Sequence, residues 1–74
     1  MKVDKSVLGK RIIIENVQGS KYLGILVGFK ENNLRFCLTN LCILNKDSSY
    51  KATSGSKESR WFDIEKYSLV EVVN

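Results

Sequence analysis

Stretches of apolar residues alternate with short polar breaks along the whole chain. The two longest stretches, residues 22–29 and 34–44, are rich in aromatic and branched side chains, and the polar cluster Lys30-Glu31-Asn32-Asn33 separates them. Such stretches favour β-strands, and a short polar cluster between two of them is typical of a chain reversal. The pattern therefore predicts a β-hairpin, around which the remaining elements are arranged.

Shorter stretches on both sides of the hairpin complete the predicted sheet. Residues 10–17 contain the run Ile12-Ile13-Ile14, and β-branched runs favour extended structure. The tight turn Gln18-Gly19-Ser20 connects this strand to the next one, which predicts an antiparallel meander. Two late strands are predicted at residues 60–64 and 68–73, on either side of a polar break.

The start of the chain predicts one short helical turn. Residues 3–8 are too few and too sparsely apolar for a longer helix, but Asp4 or Ser6 is suited to cap a single turn before Gly9 ends it. Residues 45–59 contain five serines, one glycine and three lysines, and this composition predicts a long solvated loop. A lysine-flanked Tyr50 in that loop suits RNA contact, but a plain polar loop has the same composition.

Two glycines in the second strand indicate strong curvature. Gly24 and Gly28 are four residues apart, so strict alternation places them on one face together with Tyr22 and Leu26. Glycine inside a strand usually marks a bulge, a bend or a close backbone approach. We therefore expect a mostly β protein, a small five-stranded, strongly bent antiparallel barrel of SH3-like type with a short N-terminal helical turn. Residues 1–74 should form a single domain.

Alternation also assigns faces to the two long strands. The core face of the third strand is predicted to hold Leu34, Phe36, Leu38 and Asn40, with Arg35, Cys37 and Thr39 facing the other way. We expect Leu26 and Val72 to join this core. The second face of the second strand is apolar throughout and consists of Leu23, Ile25, Val27 and Phe29. A face this apolar needs a cover, and the N-terminal turn and a partner protein are equally suitable.

Composition and charge exclude several classes of protein. The net charge of +4 favours a polyanionic partner, although ordinary soluble domains show a similar balance. Cys37 and Cys42 are five apart in one strand, which predicts opposite faces and no disulfide between them. Without histidine, a C-x-x-C spacing, a Gly-rich phosphate loop or a nucleophile paired with a base, we expect no metal, no cofactor and no enzymatic activity.

Neither a membrane-spanning stretch nor a secretory signal is evident in the sequence. No apolar run reaches the roughly 18 residues that a membrane helix needs. Residues 1–5 do not lead into an uninterrupted apolar region. We therefore expect a soluble, intracellular protein of the cytoplasm, the nucleus or both.

The order of elements and several residues resemble the Sm and Sm-like (LSm) family over about residues 7–73. The first motif of that family has an apolar strand, two glycines five residues apart, Gly-x-Leu, and a closing Leu-x-Asn. The matching positions here are Ile12, Ile13, Ile14, Gly19, Gly24, Leu26, Leu38 and Asn40. Gly28-Phe29 is also similar to the Gly-Phe pair that usually precedes an aspartate in the family.

The positions with which RNA-binding Sm rings hold a uridine differ here. Those rings carry Asp-x-x-Met-Asn after the second strand and Arg-Gly between the last two strands. In this sequence Lys30 takes the aspartate position, Asn33-Leu34 or Asn32-Asn33 takes that of Met-Asn, and Glu65-Lys66 falls about where Arg-Gly would be. The spacing from Gly24 to Leu38 is also one residue longer than in ring-forming members, which is similar to divergent branches of the family.

The resemblance implies a non-catalytic protein of RNA metabolism. The Gemin-type branch implies an adaptor in the assembly of spliceosomal ribonucleoproteins (snRNPs), which pairs strand edges with other Sm-fold or assembly proteins as a homo- or hetero-oligomer. The alternatives are the LSm domain of an mRNA decapping or P-body factor and a direct RNA-binding ring subunit. Interface candidates are Trp61, Phe62, Ile64, Leu69, Val70 and Val72, and on the apolar face Leu23, Ile25 and Val27. Candidates for RNA contact are Lys30, Asn33, Arg35, Lys51, Lys57 and Arg60.

Overall fold

The described part of the chain is mostly β, and its helical structure is limited to one short turn. The structure, a computed structural model, describes residues 1–32, 34–44 and 59–73 and the backbone of residues 50–52. A 3₁₀ turn, Lys5–Val7, precedes the strands β1 Arg11–Asn16, β2 Lys21–Lys30, β3 Arg35–Leu44, β4 Tyr50–Ala52, β5 Arg60–Asp63 and β6 Tyr67–Val73. The predicted helical turn, central hairpin and late strands are thus confirmed to within a residue or two.

All strands belong to one antiparallel sheet with the order β4-β3-β2-β1-β6. The short strand β4 pairs with the C-terminal half of β3, and the short strand β5 pairs with its N-terminal half. Because both lie along the same side of β3, they occupy one strand position, and the sheet has the five strand positions predicted. Within the described residues no pairing joins β5 to β6, so the sheet is open and the predicted barrel is not confirmed. Residues 64–66 nevertheless connect these two strands at opposite ends of the sheet, which requires a strong curl.

The prediction of a long solvated loop at residues 45–59 missed a short strand within it. Residues 50–52 form β4 by pairing with residues 42–44 of β3. The end of β3 extends past the region paired with β5, and its free backbone groups accept a strand even where side chains are polar. The remainder of the predicted loop, apart from Ser59, lies outside the described residues.

Bulges in the central hairpin interrupt the strict alternation of side chains. In β2, Leu26 pairs with Leu38 and Gly28 with Cys37, which makes Val27 an extra residue. In β3, residues 40 and 41 together stand opposite Gly24. An extra residue bends the strand and exchanges the faces of the side chains that follow it. Face assignments that assume alternation therefore fail beyond each bulge.

The glycines and cysteines of the hairpin lie on faces that strict alternation does not predict. A Cβ on Gly24 would lie 3.0 Å from the Leu38 Cβ, whereas a Cβ on Gly28 would lie 3.3 Å from the Trp61 ring on the opposite face. The prediction that the two glycines share a face was therefore wrong. Cys37 and Cys42 were expected on opposite faces, but the register places both on the outer face, and neither forms a disulfide.

The core fills the inner face of the curled sheet. Its fully buried side chains are Val3, Ile12, Ile14, Leu26, Phe36 and Leu38, and Val72 packs against them while partly buried. This confirms the predicted core cluster. Leu34 and Asn40 were assigned to the same face but are exposed, because each adopts a positive φ (50° and 53°) that takes it out of the alternation.

Aromatic rings from the two ends of the sheet meet in this core. Phe62 of β5 stacks on Phe36 of β3 with the ring centroids 5.5 Å apart, and it meets Tyr67 of β6 edge-on at 5.0 Å. Tyr22 of β2 contacts both Phe62 and Tyr67. These contacts stabilise the curl, because aromatic pairs contribute beyond the area that they bury.

The N-terminal turn closes one end of the core. Asp4 caps it by accepting hydrogen bonds from the Ser6 amide at 2.8 Å and from the Ser6 hydroxyl, and Gly9 ends it with φ 83°. Val3 and Val7 from this segment are buried with the core residues. The turn thus packs on the inner side of the sheet.

The second face of β2 is partly covered. Leu23 is buried, Ile25 is half-buried and Val27 remains exposed, whereas Phe29 packs against the core. The bulge at Val27 explains the position of Phe29, because it moves the side chains beyond it to the opposite face.

Candidate interaction edges and cationic patch

The outer edge of β6 is one end of the sheet. The Leu69 amide donates to the Met1 carbonyl oxygen at 2.6 Å, although Leu69 stands opposite Ile14 of β1. This amide therefore points away from β1. In an antiparallel ladder the direction of the backbone groups alternates, and Val70 is an extra residue between the pairs made by Leu69 and Glu71. The amides of Tyr67 and Val72 then also point outward.

The side chains of β6 do little to protect this edge from pairing with another strand. β6 carries a single charged residue, Glu71, and no proline. The Val70 side chain is 47% exposed, and within the described residues no backbone group other than that of Met1 is bonded to the outer side of β6. Edge strands that lack charges, proline or a covering segment readily pair with another chain.

The outer edge of β5 is the other candidate. The Ile64 amide donates to the Leu34 carbonyl oxygen at 2.8 Å, on the side where β5 pairs with β3. Alternation then places the backbone groups of Trp61 and Asp63 on the outer side. Within the described part of the chain, no strand pairs with β5 on that side.

A cationic and aromatic patch lies on the outer face beside β5. The ring of Trp61 lies over Gly28 and Cys37, and the ring is close enough that a Cβ on Gly28 would press on it. The Lys30 ammonium lies 4.7 Å from the ring centroid, within cation–π range. Arg35 stands directly opposite both Lys30 and Asp63 in the sheet. We call Lys30, Arg35 and Trp61 the outer patch.

The predicted interface residues fall into three groups. Trp61 and Val27 are 42% and 49% exposed, and Val70 is similarly open. Ile25, Leu69 and Val72 are half-buried. Phe62, Ile64 and Leu23 are buried, and the first two belong to the core, so these three offer a partner little more than their backbone.

The predicted RNA-contact residues are only partly brought together. Lys30 and Arg35 are exposed neighbours in the outer patch. Arg60 lies at the end of β5, where its guanidinium is 5.3 Å from the centroid of the Phe62 ring. Lys51 belongs to β4, of which the structure describes the backbone, and Asn33 and Lys57 lie outside the described residues.

A shallow depression lies beside the turn between β2 and β3. It has a volume of about 430 Å³ and is lined by Lys5, Phe29, Lys30, Glu31 and Asn32. The Lys5 ammonium lies 2.7 Å from the Glu31 carboxylate, and this hydrogen bond raises the pKa of Lys5 above its ordinary value. Because both side chains are exposed, the pair contributes little to stability. The pair does engage the Lys5 ammonium, which an anionic ligand in the depression would otherwise contact.

Sequence reasoning missed two features of the edges. The contact between Met1 and Leu69 joins the two ends of the chain, and no local pattern signals it. The bulge at Val70 lies within an ordinary apolar stretch and depends on the pairing with β1. The exposed Leu34 with positive φ was also unexpected, since a branched side chain gives no hint of that conformation.

Comparisons with known proteins give no family for this chain. No family model matches it, and no curated protein shows significant similarity. In the part that the structure describes, no group of His, Cys, Asp and Glu side chains is arranged to hold a metal ion. Within the same residues, no helix is long and apolar enough to cross a membrane. The function is therefore proposed from the two edges and the outer patch.

Proposed function

We propose that this chain is a non-catalytic, Sm-like adaptor that acts in the assembly of ribonucleoproteins by pairing its strand edges with other Sm-fold or assembly proteins. The observation that best supports this is the open sheet, in which β5 and β6 form the two ends. Backbone groups of Trp61 and Asp63 at one end and of Val72 at the other point outward. A strand from a partner satisfies such groups by extending the sheet.

The curl of the sheet supports the Sm-like part of the proposal. Residues 64–66 connect the two ends, and Phe62 and Tyr67 pack together inside. Such a curl is typical of a small, strongly bent barrel that stays open between its last two strands. Association through these strands would then leave each subunit with one donor edge and one acceptor edge.

Base recognition has less support than edge pairing. By the resemblance, a uridine would be held near Lys30, Asn33 and Glu65, and the residue set with which RNA-binding rings hold the base is largely missing there. An adaptor of the Gemin type needs no such residues. A decapping or P-body factor with an LSm domain would use the same edges, so the partners decide between these two branches.

A proline at Val72 tests edge pairing. Proline removes the outward amide donor, so Val72→Pro should lower the recovery of partners that co-purify from the protein's own cells. The matched control is Val72→Ala, which trims the same partly buried side chain but keeps the amide. Circular dichroism must show that both variants remain folded.

The outcomes of this experiment are distinct. Loss of partners with the proline variant and retention with the alanine variant supports the proposal. If the folded proline variant recovers every partner at full yield, association does not use the edge of β6, and the outer face around Val27 becomes the better candidate. Spliceosomal assembly factors among the recovered proteins support the Gemin-type branch, and decapping factors support the alternative.

Direct RNA binding is the second candidate, favoured by the outer patch. Lys30 and Arg35 offer positive charge beside the Trp61 ring, as in sites that bind single strands without reading their sequence. Fluorescence titration with oligouridine and oligoadenine should show weak binding of both, with a steep loss of affinity as salt increases. Tight, salt-resistant and uridine-selective binding would instead favour a ring subunit over an adaptor.

A further inference from the structure

The start of the described chain meets the outer edge of β6 through Met1 and enters the core through Val3. The Met1 carbonyl oxygen accepts the Leu69 amide at 2.6 Å, and the side chain of Val3 is fully buried in the core. We call residues 1–3 the N-terminal strap. It occupies the position that the strand of a partner would take beside Leu69.

The strap interrupts the edge at its centre. The outward amides of β6 belong to Tyr67, Leu69 and Val72, as the alternation of the ladder requires. With Leu69 bonded to Met1, a partner strand meets one outward amide on each side of the strap but cannot run continuously past it. Full pairing along β6 therefore requires the strap to leave.

We propose that the N-terminal strap competes with β5 of a second copy of this chain for the outer edge of β6. This inference rests on the proposed function, because it concerns the regulation of the same edge. While the strap is bound, β6 is closed to continuous pairing. When the strap is released, the edge accepts the second copy.

The two edges suit each other in side chains and charge. Each presents one large apolar side chain that is more than two-fifths exposed, Trp61 on β5 and Val70 on β6. The exposed Arg60 of β5 is opposite in charge to the exposed Glu71 of β6, although β5 also carries the half-buried Asp63 and is neutral overall. Because the edges lie at opposite ends of the sheet, their pairing is head-to-tail and leaves a free edge on each outer copy.

The strap can leave without unfolding the turn behind it. The Met1 side chain is 89% exposed and Lys2 is also exposed, so Val3 is the apolar anchor. The turn itself is held separately by the Asp4 cap. Its connection to the sheet is held by the Gly9 amide, which donates to the Leu26 carbonyl oxygen at 2.7 Å.

A matched pair of substitutions separates release of the strap from general loss of stability. Val3→Ala weakens the anchor of the strap, and Val7→Ala removes the same atoms from the same core, within the separately held turn. Val3→Thr and Val7→Thr serve as a second pair if the alanine variants fail to fold, because the hydroxyl disfavours burial with little change in shape. All variants are made in the 74-residue chain.

Amide hydrogen exchange measures the strap, and sedimentation velocity measures association with a second copy. We expect the Leu69 amide to be protected in the parent and to exchange about tenfold faster in Val3→Ala than in Val7→Ala. The dissociation constant for self-association should be about tenfold lower in Val3→Ala, since the closed state is then less populated. Together these two results support the competition.

Three other results would refute the competition between the strap and the second copy, each in a different way. Equal Leu69 exchange in both variants means that Val3 does not anchor the strap, and the inference is wrong. Faster exchange with equal self-association means that the strap does not compete, while edge pairing itself survives. If neither the parent nor any variant self-associates, the second copy is not the occupant of the edge, and pairing must be sought with the co-purified partners alone.

Discussion

Leu38 is the residue whose truncation tests the inner face of the sheet most directly. Its side chain is fully buried, pairs across the hairpin with Leu26, and fills the space above Gly24, where Cδ1 would lie 3.2 Å from an added Cβ. Leu38→Ala removes three carbons at about 0.8 kcal/mol each, or roughly 2.4 kcal/mol of burial. The cavity left behind raises the expected cost to about 2–5 kcal/mol.

That cost is a large share of the total stability. Globular proteins have about 0.05–0.15 kcal/mol of stability per residue, so a chain of this length has roughly 4–11 kcal/mol. A loss of about 3 kcal/mol would lower the melting temperature by roughly 12–24 °C. Urea unfolding followed by the fluorescence of the single tryptophan, Trp61, and by circular dichroism measures the change.

Leu34→Ala is the matched control. It removes the same atoms from a position just before the same strand, but Leu34 is 45% exposed, so its cost should stay within about 0.5 kcal/mol. If the two variants lower the urea midpoint equally, Leu38 does not lie in the core. The register of β3 against β2 would then be wrong as well.

Three further predictions follow from contacts described above. Gly28→Ala should shift the emission maximum of Trp61, because the new Cβ lies 3.3 Å from the ring, and an unchanged spectrum would mean that the ring does not cover Gly28. Gly24→Ala should cost about 1–3 kcal/mol in urea unfolding through overpacking, because the new Cβ would lie 3.0 Å from the Leu38 Cβ and 3.2 Å from the Thr39 carbonyl oxygen, and an unchanged urea midpoint would refute these contacts. The hydrogen bond from the Ser6 hydroxyl, and to a smaller extent the one from its amide, lowers the pKa of Asp4 from its ordinary 3.8. The stability that these bonds contribute is therefore present above that pH and is lost as the pH falls through the lowered pKa. Asp4→Ser, which caps without titrating, should therefore lose less stability than the parent in urea unfolding under acid conditions, and parallel losses would rule out this role.

The strands and turns could be predicted from the sequence because their causes are local. The run of isoleucines forms β1, the polar cluster after Phe29 reverses the chain, and Gly19 adopts φ 88° in the turn that it was expected to form. Asp4 caps the N-terminal turn as its type and position suggested. Each of these depends on a few neighbouring residues, which a single sequence displays.

The faces and the site could be predicted only in part, because they depend on pairing between distant segments. Val27 has the same local pattern as any strand valine, yet the register against β3 makes it a bulge and moves Gly28 to the outer face. Phe62 was a reasonable interface candidate by strand position, but the curl turns it into the core. The contact of Met1 with Leu69 has no local cause at all.

The placement of β1 between β2 and β6 has a consequence for synthesis of the protein. β1 is made well before β6, so the backbone groups of Ile13 that face β6 stay unpaired until residues 67–73 are made. Contacts between residues that are far apart in the sequence slow folding. A β-branched edge that stays unpaired in the meantime is prone to wrong pairing. The isoleucine run that identifies β1 in the sequence is thus also a segment exposed to wrong pairing during synthesis.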